Sequence, residues 1–247
     1  MVAGALVAAG HDVFVAAPTS DRSGSGSSLG SIEDGKHIPM TRTELPGEPA
    51  VPVYALDCPP ALAAIAACAG TFGPPPDLVI SGVNPGHNTG RSILFSSTVG
   101  ALLAARVTGV GGMAVSCGFE PVGRFDTAAE VAVRVADWMI RTGNMRLTLN
   151  VNVPDVDFAD LRGVAATRLG ARSMFSLRTE LAGDGVILRR DERTSGFRPG
   201  TDSAAVAGGY VSVTTLQGVT GTGDLVSLAD SGDSWMRILD GEASPAS

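Results

Sequence analysis

A chain of 247 residues, 44% hydrophobic and 17% charged, is long enough to bury a sizeable core and too apolar to be a disordered segment. Its formal charge of −7, with Lys36 the only lysine, excludes the basic stripe that a nucleic-acid polymer would require. Cys58, Cys68 and Cys117 stand in apolar surroundings without CxxC spacing, which argues against a disulfide framework or a structural zinc centre and fits a reducing cytoplasm.

In chain order, Met1 to Ala9 reads as an apolar helix that runs through Gly10 into a strand over Asp12 to Ala17. No basic segment leads into it, and His11 and Asp12 interrupt it, so it does not have the form of a signal peptide. No run approaches the roughly 18 apolar residues of a membrane-spanning helix, and no membrane association is expected. Buried strands are predicted over Asp77 to Ile80, Gly112 to Ser116 and Leu147 to Val153. Helices are predicted over Pro59 to Ala69, Thr98 to Val107 and Asp126 to Ile140, the last capped by Thr127 or Asp126. Alternation of the two types predicts an α/β fold with a mostly parallel sheet over residues 1–170.

The composition then changes. Residues 171–240 read as an arm: strands at Ser173 to Arg178 and Gly185 to Arg190 joined by the turn Ala182-Gly183-Asp184-Gly185, an alternating strand from Tyr210 to Leu216, and a final helix within Asp224 to Leu239. Residues 241–247 read as a loose tail.

Two loops rich in Gly, Ser and Asn follow predicted strand ends, where ligands bind in open α/β sheets. One is Thr19-Ser-Asp-Arg-Ser-Gly-Ser-Gly-Ser-Ser28, either a flexible surface loop or a set of hydroxyls and amides converging on an anion or metal. The other runs from Ser81 through Gly82, Asn84, Gly86, His87, Asn88 and Gly90 into a helix whose first turn is Ser96-Ser97-Thr98. Unpaired amides and the helix dipole make that start a phosphate seat; alternatively a serine there is only an N-cap and the asparagines are turn residues. His87 is a general acid–base candidate or a solvated loop residue, and Asp57 reads as a helix cap. Asp202 fixes a turn or lends a carboxylate to the crevice rim.

These loops resemble those of the SurE family, phosphatases acting on nucleoside monophosphates. The resemblance rests on Ala17-Pro18 followed by Arg22-Ser23-Gly24, on Ser81-Gly-Val-Asn84 with Gly86 and Asn88, and on Phe95-Ser-Ser-Thr-Val99. Asn150-Val-Asn-Val-Pro154, Thr167-Arg168 with Gly170, and Pro199-Gly-Thr-Asp202 followed by Gly209-Tyr-Val-Ser-Val213 extend it. It implies a Rossmann-like core, a C-terminal hairpin and helix exchanged between subunits of a homodimer or homotetramer, and a 5'-nucleotidase that uses Mg²⁺ or Mn²⁺ to hydrolyse nucleoside 5'-monophosphates. By motif, Ser23 and Asn84 are the implied metal ligands, and Gly82, Asn88, Ser96 and Thr98 the implied phosphate-binding residues.

The family's first signature, a strand followed by Asn-Asp-Asp-Gly that supplies two metal-binding carboxylates, does not occur in the sequence. The resemblance places that strand and loop ahead of Met1. Asp21 and Asp202 are the carboxylates that would have to substitute, and Ser97 stands where the family commonly has glycine. Without the aspartate pair, the alternative expectation is a non-catalytic homologue that binds nucleotide or phosphate.

Overall fold

The computed structural model describes residues 1–46, 50–118 and 123–218. Helix α1 (Val2–Ala8) stops at Gly10, whose φ of 91° turns the chain; Gly10 N donates to Val7 O and His11 N to Leu6 O, a Schellman closure. There follow β1 (Val15–Pro18), β2 (Met40–Leu45), β3 (Val51–Leu56), α2 (Pro60–Cys68) and β4 (Leu78–Pro85). A 3-10 turn over Gly90–Phe95 leads into α3 (Ser97–Val107), β5 (Gly111–Cys117), α4 (Phe125–Arg141) and β6 (Thr148–Val153). The last described elements are β7 (Val164–Thr167), β8 (Phe175–Ala182), β9 (Gly185–Glu192), α5 (Asp202–Ala207) and β10 (Val211–Thr215).

The core forms around β5 and β6, every residue of which is buried. Pleating sends alternate side chains to opposite faces. Met113, Val115 and Cys117, with Leu149, Val151 and Val153, pack on Ala128, Ala132 and Met139 of α4. Ala114 points the other way, against Val99 and Leu102 of α3. Helices therefore cover both faces, as a parallel sheet requires.

The main sheet has the order β4-β5-β6-β10-β7, with β4, β5 and β6 parallel and β10 antiparallel to β6. A second sheet has the order β1-β3-β2, with β1 parallel to β3 and β2 antiparallel to it. The α/β expectation holds, and β8 and β9 form the expected hairpin, closing at Ala182 and Gly185. Two expected caps are corrected. Helix α4 starts at Phe125 with no side-chain cap; Thr127 Oγ1 donates to Val156 O at 3.0 Å instead, and Asp155 gathers the amides of Gly123 and Arg124. Helix α2 starts behind Pro59, not Asp57. The helix expected within Asp224 to Leu239, and the tail, lie outside the described residues.

Between the two sheets, β1 and β4 bound a slot of about 1160 Å³. Leu6, Phe125, Ala136 and Ile140, from α1 and α4, line it, as do Ala64 and Ala67 of α2 and Ala101 of α3.

Candidate active site

Both sequence loops leave the carboxyl ends of slot-lining strands and meet at the amino end of α3. Ser97 binds the first loop there: its hydroxyl donates to Arg22 O at 2.6 Å, accepts from Ser25 N at 3.1 Å, and lies 3.0 Å from Ser25 Oγ. The approach is close enough that a Cβ on Gly100 would stand 2.1 Å from Gly26 O. The serine in place of the family's usual glycine is thus a loop anchor.

Within β4, ahead of the second loop, the register with β5 shifts between Ser81 and Asn84. Gly82 is required in it: φ is +123°, and an added Cβ would fall 2.2 Å from Val115 O. The irregularity brings Asn84 to α3, where Thr98 Oγ1 donates to Asn84 Oδ1 at 3.2 Å and Asn84 Nδ2 donates to Gly86 O at 2.7 Å. Across the mouth, Asp21 Oδ1 accepts from Ser23 N at 2.8 Å and Ser23 Oγ at 2.6 Å. The Ser23 hydroxyl and amide hold the exposed Asp21 carboxyl below its ordinary pKa. With its hydrogen engaged, Ser23 Oγ offers lone pairs to whatever occupies the mouth.

Of the predicted site residues, Ser23, Gly82, Asn84 and Thr98 line the cleft, and Asp21 joins them. Ser96 caps α3, accepting from Val99 N at 3.2 Å. Asn88 is drawn inward. Alternation along β6 sets Asn150 and Asn152 on one face, and both donate to Asn88 O, at 2.8 and 2.9 Å. Asn88 N donates to Asn152 Oδ1 and its Nδ2 to Ser116 Oγ, so in this structure the residue anchors the loop's return.

Three side chains take roles other than those the sequence suggests most directly. The His87 ring is half-buried rather than solvated, its Nε2 donating to Val153 O at 2.8 Å, and desolvation pushes its pKa below the ordinary value. Asp57 accepts from Arg22 at 2.7 Å. Asp202 is fully buried and its carboxylate accepts from the amides of Gly90, Gly170 and Ser203, so it clamps the start of the 3-10 turn and does not reach the rim. The Asp21 brace is the feature sequence reasoning undervalued; an Asp two residues before a Ser is the local pattern that signals it.

Ser23 Oγ and Asn84 Oδ1 are hard oxygen donors, the right kind for Mg²⁺ or Mn²⁺. Both are neutral, and among the described residues no three His, Cys, Asp or Glu side chains gather as a metal-binding group. The described donors therefore match such an ion in kind but not in charge.

Comparison with known proteins places this geometry in a lineage. Residues 1–176 match the family model described as survival protein SurE. The chain is 31% identical over 230 residues to the 5'-nucleotidase SurE of Synechococcus elongatus, covering 87% of this chain and 86% of the relative. It is 32% identical over 241 residues to the 5'-nucleotidase SurE of Trichormus variabilis, with 87% and 86% covered, and 38% identical over 151 residues to the 5'/3'-nucleotidase SurE of Proteus mirabilis, with 58% of each covered. The crystal structure of the SurE protein from Aquifex aeolicus superposes with a TM-score of 0.76 at 28% identity, covering 94% of this chain and 93% of that one. On its two converging loops and on these matches, the chain belongs to the SurE family.

Proposed function

We propose that the protein is a divalent-metal-dependent 5'-nucleotidase that hydrolyses nucleoside 5'-monophosphates to nucleoside and phosphate. The observation that carries this is the meeting of Ser23, Asn84 and Thr98 at the amino end of α3, at one mouth between two strand ends. Oxygen donors for a hard cation stand there beside a helix start that favours an anion. Ser23 and Asn84 would hold the ion, and Gly82 and Thr98 would face the phosphate, while Ser96 and Asn88 fix the loop around it. A bound Mg²⁺ or Mn²⁺ would supply the activation of water and the offset of charge on the phosphoryl group. Relatives named 5'-nucleotidase support the reaction class.

The same reading extends to the protein's setting. Leu181, Val186 and Leu188 are exposed on the β8–β9 hairpin, apolar surface suited to a homodimer or homotetramer contact. Free, buried Cys58, Cys68 and Cys117 suit the cytoplasm, and among the described residues no helix is long and apolar enough to cross a membrane.

Phosphate release from a panel of nucleoside 5'-monophosphates, with Mn²⁺ or Mg²⁺ and with EDTA, tests the proposal. Metal-dependent turnover is expected, falling at least about a hundredfold in Asn84→Ala with the metal dependence weakened. The shortfall of anionic donors favours a second reading, a homologue that binds nucleotide or phosphate without hydrolysis. Nucleotide binding indifferent to EDTA, with no phosphate released, would establish that second reading and overturn the first.

A further inference from the structure

We propose that Phe95 is the platform on which the base of the bound nucleotide stacks, so that this ring selects a nucleotide over other phosphomonoesters. The proposal rests on the nucleotide reading of the mouth at α3, but it requires only binding, not hydrolysis. Phe95 is 55% exposed, the most exposed aromatic side chain among the described residues, and Leu94 beside it is 73% exposed. Large apolar side chains left side by side in water mark a surface that something covers.

Local structure explains why the ring is left out. Phe95 immediately precedes Ser96, the N-cap of α3. A hydrophobic residue at that position ordinarily packs against the fourth residue of the helix and fixes the chain's entry. Here the fourth residue is Gly100, and it has to be glycine, because Gly26 O of the first loop lies where its Cβ would stand. The close approach that joins the first loop to α3 thus removes the partner that would have held Phe95 down.

The backbone beneath the ring is nonetheless fixed. Gly90 N donates to Asp202 Oδ2 at 2.7 Å, Ser92 N to Ser173 Oγ at 3.2 Å and Ser96 N to Ile93 O at 3.0 Å. Ile93 packs on Val99 and Leu102. A Cβ on Gly26 would stand 2.8 Å from Leu94 O and 3.9 Å from Phe95 Cα, so the first loop braces the same two residues. An aromatic side chain with few torsions, on a fixed backbone, loses little freedom when a ligand covers it.

Chemistry follows from the neighbours. The amino end of α3 favours an anion, and an exposed π-face one residue before its cap favours a flat apolar group. A phosphate joined to a planar base through a sugar presents both at once, whereas a sugar phosphate presents only the first. Stacking on one ring tolerates every base, since each has a π-face, so the platform selects nucleotides as a class and chooses weakly among bases.

The test uses the whole 247-residue chain and two ligands that differ only in the base, adenosine 5'-phosphonate and ribose 5-phosphonate, whose carbon–phosphorus bonds resist hydrolysis. Dissociation constants are measured by calorimetry with Mg²⁺ and with EDTA, and the base protons are followed by NMR. The adenosine ligand should bind about tenfold tighter, with its base protons shifted upfield by the ring. Phe95→Leu keeps apolar bulk without a π-face. It should erase both the preference and the shift while leaving the ribose ligand's affinity and the melting temperature unchanged; Phe95→Tyr should keep both. No preference in the unsubstituted chain, a preference that survives Phe95→Leu, or an equal loss for both ligands would overturn the proposal. So would self-association abolished by Phe95→Leu, which would make a second copy of the chain the occupant. Metal-dependent phosphate release from nucleotides without a base preference would sink this inference alone. A base preference without phosphate release would sink the nucleotidase reading and leave the platform standing.

Discussion

The β5–β6 pair and the β1 and β4 strands on either side of the slot divide the work of the molecule. Every residue of β5 and β6 is buried, whereas β1 and β4 contain no fully buried residue. Yet Ser23 lies on the loop that leaves β1, and Asn84 lies near the carboxyl end of β4. Burial is concentrated in one strand pair, and the candidate site is built where loops are held by local hydrogen bonds. Because Ser97 and Thr98 bridge those loops to α3, the mouth has a definite geometry although its strands are not paired to each other.

The largest expected effect separates the regions by stability. Met113 is fully buried between β5 and α4, so Met113→Ala should lower the unfolding free energy by about 2–5 kcal/mol. Val15, half-buried beside the slot, should cost under about 1 kcal/mol as Val15→Ala. Urea unfolding with the slope held constant measures both. Equal losses would break the contrast, because they would make the slot's flank as much a part of the cooperative core as β5.

A smaller effect separates the regions by function. Thr98→Val removes the hydroxyl that donates to Asn84 while keeping the side chain's volume. The Michaelis constant for a nucleoside monophosphate should rise about tenfold, equivalent to about 1.4 kcal/mol, with the melting temperature nearly unchanged. A large drop in melting temperature with unchanged kinetics would move Thr98 from the site to the core.

The same division explains what the sequence revealed. Strands β5 and β6 are short apolar runs because both faces are covered, β4 opens on the apolar run Leu78 to Ile80, and the Gly/Ser/Asn loops that follow β1 and β4 mark the candidate site. Three strands escaped notice for physical reasons. All of β2 is exposed, so Met40-Thr-Arg-Thr-Glu-Leu45 carries no burial pattern; β3 contains Pro52, which argues against a strand; β7 is four residues long and half alanine. That Ser23 and Asn84 line one cleft was legible from loop position and motif. The inward turn of Asn88 and the clamp by Asp202 were not, because they depend on partners 64 and 112 residues away along the chain.

The smallest effect concerns the hinge between the loop and the core. His87 Nε2 donates to Val153 O at 2.8 Å, fastening the second loop to the end of β6. Burial lowers its pKa, against the raising influence of the Val153 carbonyl, Asp155 and Glu192. The unfolded chain, with an ordinary histidine pKa near about 6.5, takes up the proton first as the pH falls. The stabilising contribution of neutral His87 is therefore complete above that value and is lost progressively as the pH drops below it toward the folded-state pKa. Gln at this position keeps an N–H donor but does not titrate. Between about pH 7 and pH 5, His87→Gln should flatten the fall in unfolding free energy by less than about 1.4 kcal/mol per pH unit, the limit for one proton. Urea titrations of both proteins across that range give the slopes directly, and parallel slopes would show that the ring takes up a proton equally well in the folded chain, so that the loop is fastened without excluding charge.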